Sequence, residues 1–263
     1  MLRQRILTAV IGLPVLFAII WFGNPWLTLI IAVIAILGSL EFHRMTVSDT
    51  MKPISYFAIA IAVLLTISPY YPDFITKPII LTVAIIISLI WLLFLPNKDG
   101  AFHDWAWLIA GIIYLGWMTG YWAELRNLVN GREWMYWSMI TIMASDTTAF
   151  FVGRAWGRHR MAPTISPKKT WEGAIGGAMG SIIVATILGA VFSLPLTYWQ
   201  LVLAGCFISI IAQLGDLVES LLKRNTGVKD SGKVLPGHGG ILDRIDSFIF
   251  TGALVYYLAL AVS

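Results

Sequence analysis

Asp216 and Glu219 stand three residues apart and Asp216 and Ser220 four apart, so a helix through them gathers two carboxylates and a hydroxyl on one face. Asp243 and Asp246 repeat the three-residue spacing downstream. With Asp216 they supply three hard oxygen donors at one depth, a set suited to Mg²⁺, which keeps some of its waters and shares the phosphates of a substrate. Glu219, nearer the interface, is expected at the rim of this group. A charged, glycine-rich loop from Asn225 to Gly240 joins the two acidic pairs and carries Lys229, His238, Gly239 and Gly240. Its glycines let the backbone approach a ligand closely, and the helix that opens at Ile241 turns the positive end of its dipole toward whatever binds there. His238 reads equally as a phosphate contact or as an ordinary loop hydrogen bond.

A second cluster runs from Ser145-Asp146-Thr147-Thr148 through Gly153-Arg154-x-x-Gly157-Arg158 to Ser166-Pro167-Lys168-Lys169-Thr170-Trp171-Glu172-Gly173. Ser166 followed by Pro167 has the form of an N-cap and first helical residue. That predicts a helix whose first turn presents Lys168 and Lys169 together with free amides that attract anions. Arg158 and Arg160 are explained as well by anchoring at a membrane surface. Cations beside carboxylates are the layout a polyphosphate–Mg²⁺ substrate requires. Gly227-x4-Gly232-Lys233 imitates a nucleotide-binding P-loop, but Val234 stands where a metal-holding Ser or Thr is needed and no strand precedes it.

The elements that hold these residues lie in a membrane. Of the 263 residues 58% are apolar and 12% charged, with a mean hydropathy of +0.81; a soluble domain carries roughly 25% charged residues. A soluble globular fold is excluded. The pattern predicts an all-α polytopic protein with nine spans, near 6–22, 26–40, 54–71, 79–95, 105–122, 134–152, 172–193, 198–222 and 241–262. The second is short and reads either as a span with little tilt or as part of a hairpin with the first. With the amino end in the cytoplasm and the carboxyl end outside, 15 of the 18 Lys and Arg fall on the cytoplasmic side, leaving Lys77, Arg126 and Arg132 outside. The net charge of +4 then reflects loops facing anionic lipid rather than nucleic acid. Cys206 is the single cysteine, which excludes an intrachain disulfide and a cysteine-based metal site.

So many spans leave no room for an extramembrane domain, and residues 1–263 read as one integral-membrane domain. Residues 1–100 read as scaffold helices with almost no intramembrane charge, and 101–263 as the helices and cytoplasmic loops that carry the site. An Asp, Lys or Arg at the centre of a membrane helix costs about 2.5–3.5 kcal/mol, which makes Asp146 and Asp216 functional candidates. Gly173-x-x-Gly176-Gly177-x-x-Gly180 and Gly116-x-x-x-Gly120 let helix backbones approach closely, with intramolecular packing the first reading and a dimer contact the second.

The stretch Ser220-x-x-Lys223-Arg224-x4-Lys229-Asp230-x-Gly232-x-x-Leu235-Pro236-Gly237-His238-Gly239-Gly240-Ile241-x-Asp243-Arg244-Ile245-Asp246 resembles the signature of the phosphatidate cytidylyltransferase (CDP-diacylglycerol synthase) family. Ser145-Asp146-Thr147 and Ser166-Pro167-Lys168-Lys169-Thr170-x-Glu172-Gly173 resemble it too, and the similarity in span layout covers the whole chain. The resemblance implies transfer of the cytidylyl group of CTP to phosphatidate, with Mg²⁺, a second cation such as K⁺ and a homodimer in the cell membrane, its site facing the cytoplasm. It implies metal ligation by Asp216, Asp243 and Asp246, and catalytic roles for these with Lys223, Arg224 and Lys229. Substrate binding falls to Asp146, Ser166, Lys168, Lys169, Thr170, Ser220, His238, Gly239, Gly240 and Arg244. A CTP-dependent lipid-alcohol kinase and an ion-coupled transporter are the alternatives. The second predicts midplane broken helices and inverted repeats, neither of which the sequence displays.

Overall fold

The computed structural model describes residues 2–47, 52–71, 76–232, 234 and 239–262. Along the described residues run α1 (Leu2–Phe22), α2 (Trp26–Thr46), α3 (Lys52–Ile67), α4 (Lys77–Leu93), α5 (Ala101–Ile112), α6 (Gly120–Asn127) and α7 (Gly131–Trp156). A hairpin of β1 (Arg160–Ala162) and β2 (Ser166–Thr170) follows, then α8 (Trp171–Val191), α9 (Tyr198–Asn225) and α10 (Leu242–Val262). Helix is what lipid demands, because every backbone polar group must find its partner within the protein. By length and composition α2, α3 with the turn after it, α8, α9 and α10 are long and apolar enough to cross a membrane; Val10–Phe22 and α4 are shorter apolar helices. The architecture is that of an all-α membrane protein with one small hairpin.

The second expected span is longer than its apolar run. α2 continues through Glu41, Phe42 and His43 to Thr46, 21 residues in all, because Glu41 and His43 are buried in protein and need not face lipid. The fifth expected span is interrupted: α5 passes into a π-turn, Ile113–Trp117, closed by Met118 N–H donating to Ile113 O at 3.0 Å.

The chain divides into two compact units, Met1–Glu124 with Val228–Arg244, and Leu125–Gly227 with Ile245–Ser263. In the first, Ile61 and Leu65 of α3 pack with Ile80 and Ala84 of α4 and Leu108 and Ile112 of α5. Trp105 Nε1–H donates to Ser88 Oγ at 2.9 Å. At Gly116 a Cβ would stand 2.7 Å from Ala62 Cα, so the π-turn lies directly on α3. Lys77 is buried, pairs with Glu124 at 2.9 Å and sits over the Tyr121 ring at 4.5 Å.

In the second unit the glycine stripe of α8 lies on α7. A Cβ at Gly176 would meet the Val152 side chain at 2.6 Å, and one at Gly173 would lie 2.9 Å from Ala149 O. Polar groups tie α7, α8 and α9 together: Trp137 Nε1–H donates to Ala185 O at 2.8 Å, Ser181 Oγ–H to Gly205 O at 2.6 Å, and Ser145 Oγ lies 2.7 Å from Ser209 Oγ. Both small-residue motifs are thus used within the chain.

Candidate active site

The segment expected to begin a helix at Ser166 is a strand. β2 pairs antiparallel with β1, Arg160 opposite Thr170 and Ala162 opposite Ser166, and α8 begins four residues later than the Ser166 cap predicts. Its N-cap is Thr170, whose Oγ1 accepts from Gly173 N–H at 3.2 Å. Gly157 makes room for this cap, since a Cβ there would stand 2.7 Å from Thr170 Oγ1. Glu172, in the first turn, accepts from Arg158 N–H at 3.1 Å and contacts His159 Nδ1 at 2.6 Å. Pairing with β1 takes Ser166-Pro167 into the strand, which leaves the Thr170 cap and the acidic first turn supplied by Glu172 to start the helix. Lys168 and Lys169 therefore alternate on a strand: Lys168 is exposed and Lys169 half-buried.

Lys169 reaches α9. Its Nζ lies 2.8 Å from Asp216 Oδ2 and donates to Gln213 O at 3.3 Å. Ser220 Oγ–H donates to Asp216 Oδ1 at 3.3 Å, confirming that the two share a helix face. Close packing brings the matching turn of α10 alongside: a Cβ at Gly215 would stand 2.6 Å from Asp246 O. Asp246 feels the charges of Asp216, Glu219 and Asp146, and Asp146 those of Asp216 and Lys169, with the Ser247 side chain as its hydrogen-bond partner. α7, α9 and α10 thus contribute one carboxylate each to a cluster that the hairpin lysine joins.

Glu219 is not at a rim. It is 1% exposed and forms an ion pair with Lys223 one turn on. Its position near the end of the apolar run suggested depth in the membrane but carried no information on packing. Arg224, exposed, donates through Nε to Ile165 O at 3.3 Å and so fastens the end of α9 to the hairpin.

In the first unit Asp243 organises the start of α10. Its Oδ2 accepts from Gly240 N–H at 2.9 Å and from Ser231 N–H at 3.2 Å, with Ser231 Oγ 3.1 Å away. Gly239 has φ of +86°, a conformation that suits glycine, and a Cβ there would press on Asp243 Oδ2. Lys229 and Arg244 are exposed. His238 and Lys233 lie outside the described residues.

Sequence reasoning missed Glu41. This residue of the supposed scaffold accepts from Ser231 Oγ–H at 2.9 Å, Ile241 N–H at 3.0 Å and Leu242 N–H at 3.1 Å. The signal was present: a carboxylate following an apolar run is as costly there as Asp216 is in α9. Gln213 was missed as well, although its Nε2–H donates to both Ala174 O and Ser209 Oγ in the packing of α8 against α9.

In the second unit the acids outnumber the cation that meets them. Three carboxylates of like charge with one lysine among them leave an excess of negative charge and oxygen ligands. Among the described residues no three His, Cys, Asp or Glu side chains converge as closely as a metal shell requires.

The chain matches the model of the cytidylyltransferase family over residues 3–262. It is 35% identical to a phosphatidate cytidylyltransferase of Bacillus subtilis, over 98% of this chain and 97% of that one. It is also 35% identical to the protein of the same name from Synechocystis, over 97% of this chain and 95% of that one. The chloroplastic phosphatidate cytidylyltransferase 4 of Arabidopsis thaliana is 34% identical over 97% of this chain and 72% of its own. With the match running from the first helix to the last, this membrane protein belongs to the cytidylyltransferase family.

Proposed function

We infer that the protein makes CDP-diacylglycerol, transferring the cytidylyl group of CTP to phosphatidate and releasing pyrophosphate. The observation that carries this is the near-full-length match to relatives named phosphatidate cytidylyltransferase. The site chemistry agrees with it. A phosphate monoester has a second pKa of about 6, so phosphatidate arrives largely dianionic and needs no strong base, which suits a site of carboxylates and cations. A lipid phosphate oxygen attacks the α-phosphorus in line, the bond from that phosphorus to the β-bridging oxygen breaks, and pyrophosphate leaves. Lys168, Lys169 and Lys223 are assigned to neutralising the triphosphate and Arg224 or Lys229 to receiving the lipid phosphate. Asp146, Ser166, Thr170, Ser220, His238, Gly239, Gly240 and Arg244 are assigned to holding the substrates. Catalysis by this chain is positioning plus charge neutralisation.

Asp216, Asp243 and Asp246 are the proposed ligands of Mg²⁺, which when bound supplies charge shielding between the phosphates, and of a second cation such as K⁺. The shared cluster of Asp216 and Asp246 supports that assignment. The proposed topology has nine spans with the amino end and both charged loops in the cytoplasm, and the carboxyl end outside. The same proposal has the protein act in the cell membrane as a homodimer, with CTP entering from the cytoplasm and the lipid sideways from the bilayer.

The test is which phosphorus is attacked. With CTP labelled at the α position, purified protein should pass the label to lipid, and γ label should leave as pyrophosphate. γ label in lipid would make the protein a kinase instead.

A further inference from the structure

Glu41 lies on α2, 190 residues before Ser231 and 200 before Ile241, yet among the described residues its carboxylate bonds to the segment that opens α10. The first amides of a helix have no intrahelical acceptor. At α10 two of them, Ile241 N–H and Leu242 N–H, donate to the two oxygens of Glu41, a cap supplied from another helix. The other local donors, Gly240 N–H and Ser231 N–H, go to Asp243. Ser231 Oγ stands between the two acids, 2.9 Å from Glu41 Oε2 and 3.1 Å from Asp243 Oδ2. A hydroxyl has one proton to give, so Oγ–H serves one acid at a time, while Ser231 N–H holds Asp243 throughout; Ser231 is the residue that touches both carboxylates.

The backbone is shaped to admit Glu41. At Gly232 an added Cβ would collide with Glu41 Oε1, and at Gly240 with Ser231 Oγ and Glu41 Oε2. These two glycines of the signature are accounted for by a residue outside it. α2 itself is held close, since a Cβ at Gly38, one turn before Glu41, would contact Leu115, Leu242 and Ile241. Glu41 is 2% exposed, and a carboxylate buried to that degree is stable only when its acceptor sites are filled.

We propose that Glu41 is a positioning residue for cytidylyl transfer: it caps α10 and, through Ser231, sets the carboxylate of Asp243. This rests on the assignment of Asp243 to the active site. The described partners of Glu41 are groups of the protein itself. Its effect on the reaction runs through the orientation of Asp243 and the first turn of α10, as partners of metal-ligating groups act in other sites.

Glu41→Gln keeps the size and removes one acceptor, turning an NH₂ toward the amides that Glu41 receives. In the purified full chain, kcat should fall about 10–100-fold with KM for CTP little changed, the mark of misplacement rather than lost binding. Amide exchange should rise at residues 240–244 while α3 and α4 stay protected. Unchanged kcat, or unchanged exchange at 240–244, overturns the proposal. Should Glu41→Gln fail to insert, Ser231→Ala serves, since it cuts the link and leaves the cap; full activity in that variant overturns the proposal as well. Asp243→Asn is measured in parallel: wild-type turnover there removes the active-site assignment, whereas its loss beside an active Glu41→Gln removes only the role of Glu41.

Discussion

Lys169 Nζ and Asp216 Oδ2 lie 2.8 Å apart, so a strand of the hairpin delivers its cation directly to the acidic face of α9. The charge proposed to neutralise triphosphate is thus already balanced against a proposed metal ligand. Lys169→Met should lower kcat/KM about 10²-fold, the scale for removing one group that stabilises developing charge. Lys169→Arg should retain much of the activity, because the charge can still span from strand to helix. Steady-state assays with CTP and phosphatidate in detergent check both, and equal loss in the two variants would point to geometry rather than charge.

Asp246→Asn and Asp243→Asn preserve volume while removing charge. Each should cut turnover by about 10²-fold or more and leave the protein inserted in the membrane. Chelation should abolish wild-type turnover and added Mg²⁺ restore it. Full activity of Asp246→Asn, with unaltered Mg²⁺ dependence, would take that residue out of the ligand set.

The hairpin makes a stability prediction. Thr170→Ala removes the cap of α8 and should cost about 1 kcal/mol, with Thr170→Ser recovering most of it. Ser166→Ala should cost far less. Unfolding midpoints in detergent give the order; a larger effect at Ser166 would move the helix start back to that residue.

Glu219, buried, pairs with Lys223, whose side chain is largely covered. Breaking such a pair from one side costs about 3–5 kcal/mol, whereas replacing both charges by apolar groups is often neutral. Glu219→Gln should therefore lower the unfolding midpoint strongly, and Glu219→Leu with Lys223→Met should restore it. Turnover should stay low in the double variant, since Lys223 is lost. Recovery of both would leave Lys223 a structural residue.

Sidedness is open to labelling. In a background with Cys206→Ala, cysteine at exposed Lys168 should react only from the cytoplasm and cysteine at exposed Val129 only from outside. Lys77, although assigned to the outer side, is a poor probe because it is buried against Glu124. Reaction of both positions from one side would reverse the count of spans between them.

Periodicity and charge cost made the membrane helices and the faces of Asp216, Ser220 and Asp246 legible, because both are local properties. The start of α8 was not, since Ser166-Pro167 and Thr170-x-Glu172 are competing cap signals whose caps stand four residues apart, and pairing with Arg160–Ala162 decides between them. Glu219 was misplaced because distance along a helix gives depth in the bilayer but says nothing about which side faces protein. Glu41 escaped for a different reason. Its partners are about 200 residues away, and no spacing rule spans that separation.

Gly173, Gly176, Gly177 and Gly180 of α8 are consumed chiefly by α7, which leaves a different surface on the opposite side of the same helix. Ile175, Met179, Ile183 and Ile187 project there at four-residue intervals and are all more than half exposed. A lipid tail or a second copy approaching α8 meets a ridge of flexible and branched side chains, not a smooth backbone groove. Self-association through this helix would have to proceed by interlocking ridges at ordinary interhelical distance. Crosslinks between copies, if they form along α8, should then join 175, 179 and 183 rather than 173, 176 and 180.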